Sequence, residues 1–319
     1  MTAAPRLSVG LPVYNGEKYL AQSLESLLGQ TYADFELIIS DNASTDGTAA
    51  ICTSYAKQDL RIRYYRQPIN IGLAPNHNFV VDQARGELFK WASDDDLYAR
   101  DLLRLCVDIL DDKPDVVVAH AWTAFIDGSG DVLNADEYPL ATASPRPAER
   151  FRSVLFDLGG DDDGGVMRIP VLRGISRKDS YHQSDRAFIA ELALQGPFEH
   201  VHDWLYFRRD HPGRAERACT TMRSRCANMD PRRASRLRHP APRLYGEYVW
   251  ALGAAIGRSP LSREDKRQCY GHLMRWLASR VTGKVLPDYV PSPDRRPNVI
   301  KSDSISVQKV VSGQASGRS

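Results

Sequence analysis

Cysteine is sparse in this 319-residue chain: Cys52, Cys106, Cys219, Cys226 and Cys269 are odd in number, scattered, and never spaced as C-x-x-C. That pattern argues against a disulfide framework or a zinc knuckle and fits a reducing compartment. No apolar run approaches the ~18–20 residues that a bilayer-crossing helix requires. The opening residues, MTAAPRLSVGLPVYN, lack a charged stretch followed by an apolar one, so no secretory signal is expected there. Excess charge of one sign is missing too. With 42 Lys and Arg against 40 Asp and Glu, the formal charge is +2, too small for a protein that coats nucleic acid. These absences lead to the expectation of a cytoplasmic protein with no nucleic-acid partner.

What is present is an ordinary globular composition, 42% hydrophobic and 26% charged, which excludes wholesale disorder. The length exceeds a usual single domain of roughly 100–200 residues, leaving one large α/β domain with appendages, or two domains. Strand and helix signals alternate over the first ~130 residues, the pattern of a doubly wound, mostly parallel sheet. Strands are expected at 7–13, 35–40, 61–66, 87–92 and 116–125. Helices are expected from Leu20 (Leu20, Leu24, Leu27 and Leu28 share a face, with Asn15 as N-cap), from Ser44 to about Tyr55, and over 76–84 and 97–110. Turn signals dominate 127–163. A helix over 186–195, a strand over 201–208 and two helices between Pro231 and Val281 follow. In the first of these two, Tyr245, Tyr248, Val249, Leu252 and Ile256 form an apolar stripe expected to pack in the core. The organisation expected is a catalytic domain over 1–212, a helical extension over 213–285 and a disordered tail over 286–319.

Charge is unevenly spread. Between Arg208 and Arg243 lie eleven arginines and only three acids, Asp210, Glu216 and Asp230. This is either a solvated surface or a basic rim meeting phosphate, on a substrate diphosphate or on anionic lipid.

Four segments fall where a parallel sheet places its ligand site, at the carboxyl ends of strands. Leu11–Asn15 ends the first strand, and Tyr14 can offer its ring to a nucleobase or simply close a turn. Ser40–Thr48 ends the second, where Asp41 can accept from a base N–H. Ser93-Asp94-Asp95-Asp96 follows a buried strand. Three adjacent carboxylates repel, and a hard cation such as Mn²⁺ or Mg²⁺ relieves them, the alternative being a solvated acidic helix start. Asp161-Asp162-Asp163, in a glycine-rich loop, reads as loop. Ser184-Asp185-Arg186 opens a helix, with Asp185 as a cap or as a general base.

Together these residues resemble the family-two glycosyltransferases of GT-A fold. The likeness rests on V-G-L-P-V-Y-N-G-E-K-Y-L (Val9–Leu20), F-E-L-I-I-S-D-N-A-S-T-D-G-T (Phe35–Thr48), N-I-G-L-A-P-N (Asn70–Asn76), S-D-D-D (Ser93–Asp96) and S-D-R-A-F-I-A-E-L-A-L-Q-G-P-F (Ser184–Phe198), and it fades after Glu199. The resemblance implies an inverting hexosyltransferase-like enzyme using a UDP- or dTDP-sugar and a divalent cation. Pro12, Val13, Tyr14, Asn15, Asp41 and Asn70 would bind the nucleotide, and Asp94 the ribose. Asp95 would hold the metal, or Asp96 in the alternative frame, because the usual D-x-D has Ser93 at its first position. Asp185 would be the base that deprotonates the acceptor hydroxyl. Arg208 and Arg209 are candidates for the diphosphate, and His211 for the metal or as a plain surface histidine beside Pro212. The acceptor is a glycan of the cell envelope, a glycolipid or a small molecule. The C-terminal helices are left with three roles: acceptor site, peripheral contact with the inner membrane face, or homodimer. A sugar-phosphate nucleotidyltransferase is disfavoured because P-V-Y-N-G-E-K lacks a glycine-rich basic loop. A catalytically inactive nucleotide-sugar-binding scaffold is the remaining alternative.

Overall fold

The structure, a computed structural model, describes residues 4–136, 138, 140–157 and 162–282; the tail expected from 286 and Asp161 lie outside them. Strand and helix alternate from the start: β1 (Leu7–Val13), α1 (Leu20–Leu28), β2 (Phe35–Asp41), α2 (Thr48–Gln58), β3 (Ile62–Arg66), α3 (Leu73–Gln83) and β4 (Leu88–Trp91). These four strands run parallel in the order β3-β2-β1-β4. β2 and β4 are buried along their whole length and β1 at all but one position, as suits strands covered on both faces, whereas β3 at the edge is only partly buried. Val13 pairs with Asp41 and Gly10 with Trp91, so the carboxyl ends of β1, β2 and β4 open along one edge.

The second half extends the sheet. After β5 (Leu97–Tyr98) and α4 (Leu102–Asp112) come β6 (Val118–Ile126), β7 (Val132–Asp136), α5 (Pro147–Phe156), β8 (Val166–Arg168), α6 (Ile169–Gly174), α7 (Ser184–Gln195) and β9 (Phe198–Arg209). β8 lies antiparallel between β4 and β6, β9 is parallel to β6, β5 is antiparallel to β9, and β7 forms a hairpin with β6. α8 (Ala215–Ala218), α9 (Met222–Met229), α10 (Ala241–Arg258) and α11 (Arg263–Thr282) complete the described chain. Among the described residues no helix is long and apolar enough to cross a membrane.

Alternation along the strands divides the interior in two. Leu7, Val9, Leu11 and Val13 of β1 meet Leu24 and Leu27 of α1 and Leu103 of α4 on one side. On the other, Phe89 and Trp91 of β4 meet Val80 of α3, Phe151 of α5, the almost wholly buried α7, and Leu252, Ile256, Leu273 and Trp276 of α10 and α11. The last two helices are thus part of the core beside α5 and α7. Of the α10 stripe, Tyr248, Leu252 and Ile256 are buried, but Tyr245 is 51% exposed and packs its ring edge-on at 4.6 Å from His182.

Local departures from the sequence expectations have tertiary causes. Asn15 is no N-cap: it takes a left-handed φ of 53°, and a turn intervenes before α1 starts at Leu20. Ser44 does not cap α2, because its hydroxyl accepts the Asn15 N–H at 2.9 Å. The helix expected from Leu97 starts at Leu102, since Leu97 and Tyr98 pair with Phe207 and Tyr206 of β9. The turn-rich 127–163 stretch contains β7 and α5.

Gly10 is the tightest strand position. A Cβ there would sit 2.7 Å from both Phe89 Cζ and Val80 Cγ2, inside contact distance in a close-packed interior. Gly10→Val is expected to cost about 1–3 kcal/mol by overpacking and to lower Tm by several degrees in thermal denaturation; an unchanged Tm would show that α3 is free to shift.

Candidate active site

The edge formed by the carboxyl ends of β1, β2 and β4 borders an open cavity of about 1000 Å³. Pro12, Val13, Tyr14, Asn15, Asn70, Asp94, Asp95, Asp96, Asp185, Arg208 and His211 all line it; Asp41 and Arg209 do not.

The end of the cavity at β1 and β2 is built from loops tied by short polar side chains. Asn15 Oδ1 accepts from Thr45 N at 2.8 Å. Asn42, which the sequence reading passed over, donates to Asn70 Oδ1 at 3.0 Å and accepts from Ile71 N at 2.9 Å. Tyr14 stands 47% exposed at the rim. Asp41 lies beneath these loops with no exposure. Its Oδ1 accepts from Ser44 N at 2.8 Å and its Oδ2 from the Tyr64 hydroxyl at 3.0 Å. These bonds tie Asp41 to the loop that follows β2.

The acidic triplet is sorted by the end of β9. Asp96 is fully buried. Its Oδ1 accepts from Arg209 N at 2.8 Å and Arg214 Nη1 at 2.9 Å, and its Oδ2 from the Tyr206 hydroxyl. With donors on both oxygens, Asp96 acts as a strut in the cavity wall. Asp95 faces the cavity: Ser93 Oγ donates to its Oδ1, while His211 Nε2 lies 3.0 Å and Arg214 Nη1 3.3 Å from its Oδ2. Asp94 approaches the β1 loop so closely that a Cβ on Gly16 would lie 2.1 Å from its Oδ2, so a larger residue there would displace the Asp94 carboxyl. Burial and neighbouring Asp95 push the Asp94 and Asp96 carboxyls up. For Asp95 burial acts the same way, but Arg214, Ser93 and His211 outweigh it and hold the carboxyl below its usual range.

Arg209 is not a diphosphate ligand either. It is 1% exposed, donates to the carbonyls of Asp95, Asp127 and Gly128 and to Gln22 Oε1, and lies 4.5 Å over the Tyr19 ring.

The far wall holds a second acid centre. α7 starts after Gln183, whose φ is 59°, and Asp185 is its second residue, so Asp185 is not the cap. It is 60% exposed, with Lys178 Nζ 3.7 Å away. Lys178 is buried, 4.8 Å over the Trp91 ring and 5.5 Å over Phe188, and donates to Asp163 Oδ2 at 2.7 Å. Burial disfavours both charges, but the pair prevails: Lys178 is raised and Asp163 lowered. Burial and Lys178 together push His77 down to about 3, leaving it neutral. The Lys90 ammonium, donating to Gly164 O, fixes the turn that carries Asp163. Neither Asp163, expected to be plain loop, nor Lys178 was legible as site. They lie fifteen residues apart without a motif, and only the fold joins them.

Among the described residues no three His, Cys, Asp or Glu side chains converge as a protein-only metal site. A Mg²⁺ or Mn²⁺ ion needs fewer when phosphate oxygens complete its shell, and Asp95 with His211 supplies suitable donors on the cavity wall.

Comparison with known proteins agrees with this geometry. The sequence model described as glycosyl transferase family 2 matches residues 8–171. The putative glycosyltransferase EpsH of Bacillus subtilis (strain 168) is 30% identical over 208 residues, 65% of this chain and 56% of that protein. The chain thus spans just over half the length of this relative, and chondroitin synthase of Escherichia coli is matched over only 29% of its length, at 26% identity over 65% of this chain. Among solved structures, S. aureus TarS superposes with a TM-score of 0.57 at 19% identity, covering 89% of this chain and 46% of that one. TarS 1–349 with UDP-GlcNAc gives 0.51 at 17% identity over 88% and 92%. These are likenesses of GT-A fold. With just over half of its residues matched by the family model, the chain belongs to glycosyl transferase family 2.

Proposed function

We propose that the protein transfers a hexosyl group from a nucleotide-diphosphate sugar to an acceptor hydroxyl, inverting the anomeric centre. The observation that carries this reading is that one cavity is lined by two acid centres of opposite construction. Asp94 and Asp95 crowd with His211 and Arg214 at the strand ends, a place for a diphosphate. Asp185 stands exposed beside a buried lysine at a helix start, a place for a proton acceptor.

In this scheme Tyr14 offers its face to the base, Asp94 binds the ribose, and Arg208 meets the diphosphate. A divalent cation held by Asp95 and His211 would neutralise charge on the departing diphosphate. Asp185 takes the acceptor's hydroxyl proton as the oxygen bonds to the anomeric carbon from the side opposite the leaving group, and the electron pair of the broken bond leaves with the diphosphate. Attack from the opposite face inverts the centre. The fold neighbour solved with UDP-GlcNAc supports a uracil-type base, hence UDP or dTDP as the carrier.

The test is thermal denaturation with UDP, dTDP, GDP and CMP, with and without Mn²⁺, alongside donor turnover. UDP or dTDP with Mn²⁺ is expected to stabilise by about 2.7 kcal/mol at a hundredfold excess over Kd. Asp185→Asn should keep that shift while turnover falls roughly 10²- to 10⁴-fold. No shift with any nucleotide, or full turnover in Asp185→Asn, contradicts the proposal.

Lys178 sets the working pH. A positive charge near Asp185 favours its ionised form, so removing the charge makes the proton bind more tightly and more alkaline solution is needed to free the base. Lys178→Met also leaves Asp163 unpaired, which acts in the same direction. The acid limb of the kcat/KM profile is expected to move to higher pH, with Lys178→Arg restoring it; an unmoved limb would separate Lys178 from the base.

A further inference from the structure

The structure divides the eleven arginines of 208–243 by direction. Arg209 and Arg214 are inside the acidic site. Arg217 pairs with Asp210. Arg223 points inward, its Nη1 within 3.0–3.4 Å of the carbonyls of Arg233, Ser235 and His239. Arg233 does the same toward the far wall, reaching Glu247 Oε2 at 2.6 Å, Ser180 Oγ at 3.0 Å and Asp179 Oδ1 at 3.2 Å. The segment 231–239 is therefore pinned from within, and its outer side is Arg232, Arg236, Leu237 and Arg238. Arg232 shares Asp230 but is 83% exposed. Arg236 and Arg238 are exposed, and neither side chain has a carboxylate partner among the described residues. Leu237 between them is 96% exposed.

We propose that this Arg-Leu-Arg tip docks the protein on an anionic lipid bilayer, an inference separate from the transfer reaction. Charge complementarity selects the partner. Guanidinium groups pair with lipid phosphate in two parallel hydrogen bonds, each basic residue near an anionic surface adds to the affinity, and Leu237 between the two arginines can add an apolar contact at the headgroup boundary. Arg225, Cys226, Asn228 and Met229 of the adjoining segment line the cavity, so docking at the tip would hold the cavity near the bilayer surface.

The experiment is sedimentation of the full chain with vesicles of equal parts phosphatidylglycerol and phosphatidylcholine, and with phosphatidylcholine alone. Binding is expected to the anionic vesicles only and to weaken as salt rises from about 0.05 to about 0.5 M. Arg236→Glu with Arg238→Glu should lower partitioning at least about tenfold, with Tm and donor hydrolysis unchanged. Leu237→Ser should lower it further at high salt, where the apolar contact dominates. No binding to anionic vesicles, equal binding by the doubly reversed variant, or binding to duplex DNA in place of vesicles at the same salt overturns the proposal.

Discussion

Three carboxylates in a row at the end of β4 cannot all stay ionised in a buried place without help, and the arrangement of the whole cavity follows from how that repulsion is relieved. The help comes from the end of β9 and the turn after it. Tyr206, the Arg209 backbone and Arg214 take Asp96 inward; His211, Arg214 and Ser93 hold Asp95 at the surface; Gly16 leaves room for Asp94. One residue becomes a strut so that its neighbour can face the cavity.

That arrangement explains why the sheet is extended in the way it is. β9 runs parallel to β6 and ends at Arg209, where its side chain ties the Asp95 carbonyl to the 127–128 turn and to α1 through Gln22. The strand delivers Arg208 to the cavity and Arg209 to its scaffolding, neighbours in sequence with opposite work. On the far wall the same division recurs: Lys178 is withdrawn against Trp91 and Phe188, while Asp185 is left exposed. Buried cations thus organise both acid centres, and the exposed member of each faces the open volume.

Much of this was legible in the chain. The parallel half could be read because strand signals alternate with helices that carry one apolar face, and the acidic triplet could be placed because it directly follows such a strand. Illegible parts depended on partners far away in sequence. Asp41 was read as a base ligand from its motif, which gives no sign of the bonds it accepts from Tyr64 and Ser44. Asn15 looked like a cap because an Asn before an apolar helix usually is one, whereas here its left-handed backbone joins the β1 and β2 loops. α5 was overlooked although Ala148, Phe151, Val154 and Leu155 share a face, because proline and glycine around it read as turns; Pro147 is in fact the first residue of the helix, where proline is welcome. Asp163 and Lys178 had no local signal, only a meeting created by the fold.

The sorting of the triplet is tested most directly by comparing Asp95→Asn with Asp96→Asn, for Tm and for UDP binding in the presence of Mn²⁺. Asp96→Asn removes one partner of a buried ion pair, a loss of about 3–5 kcal/mol, and should lower Tm by roughly ten degrees. Asp95→Asn should lower Tm by clearly less than Asp96→Asn and abolish the metal-dependent part of UDP binding. Equal loss of stability in both variants, or metal-dependent binding that survives in Asp95→Asn and vanishes in a well-folded Asp96→Asn, would contradict the assignment of Asp96 as strut and Asp95 as the cavity-facing acid.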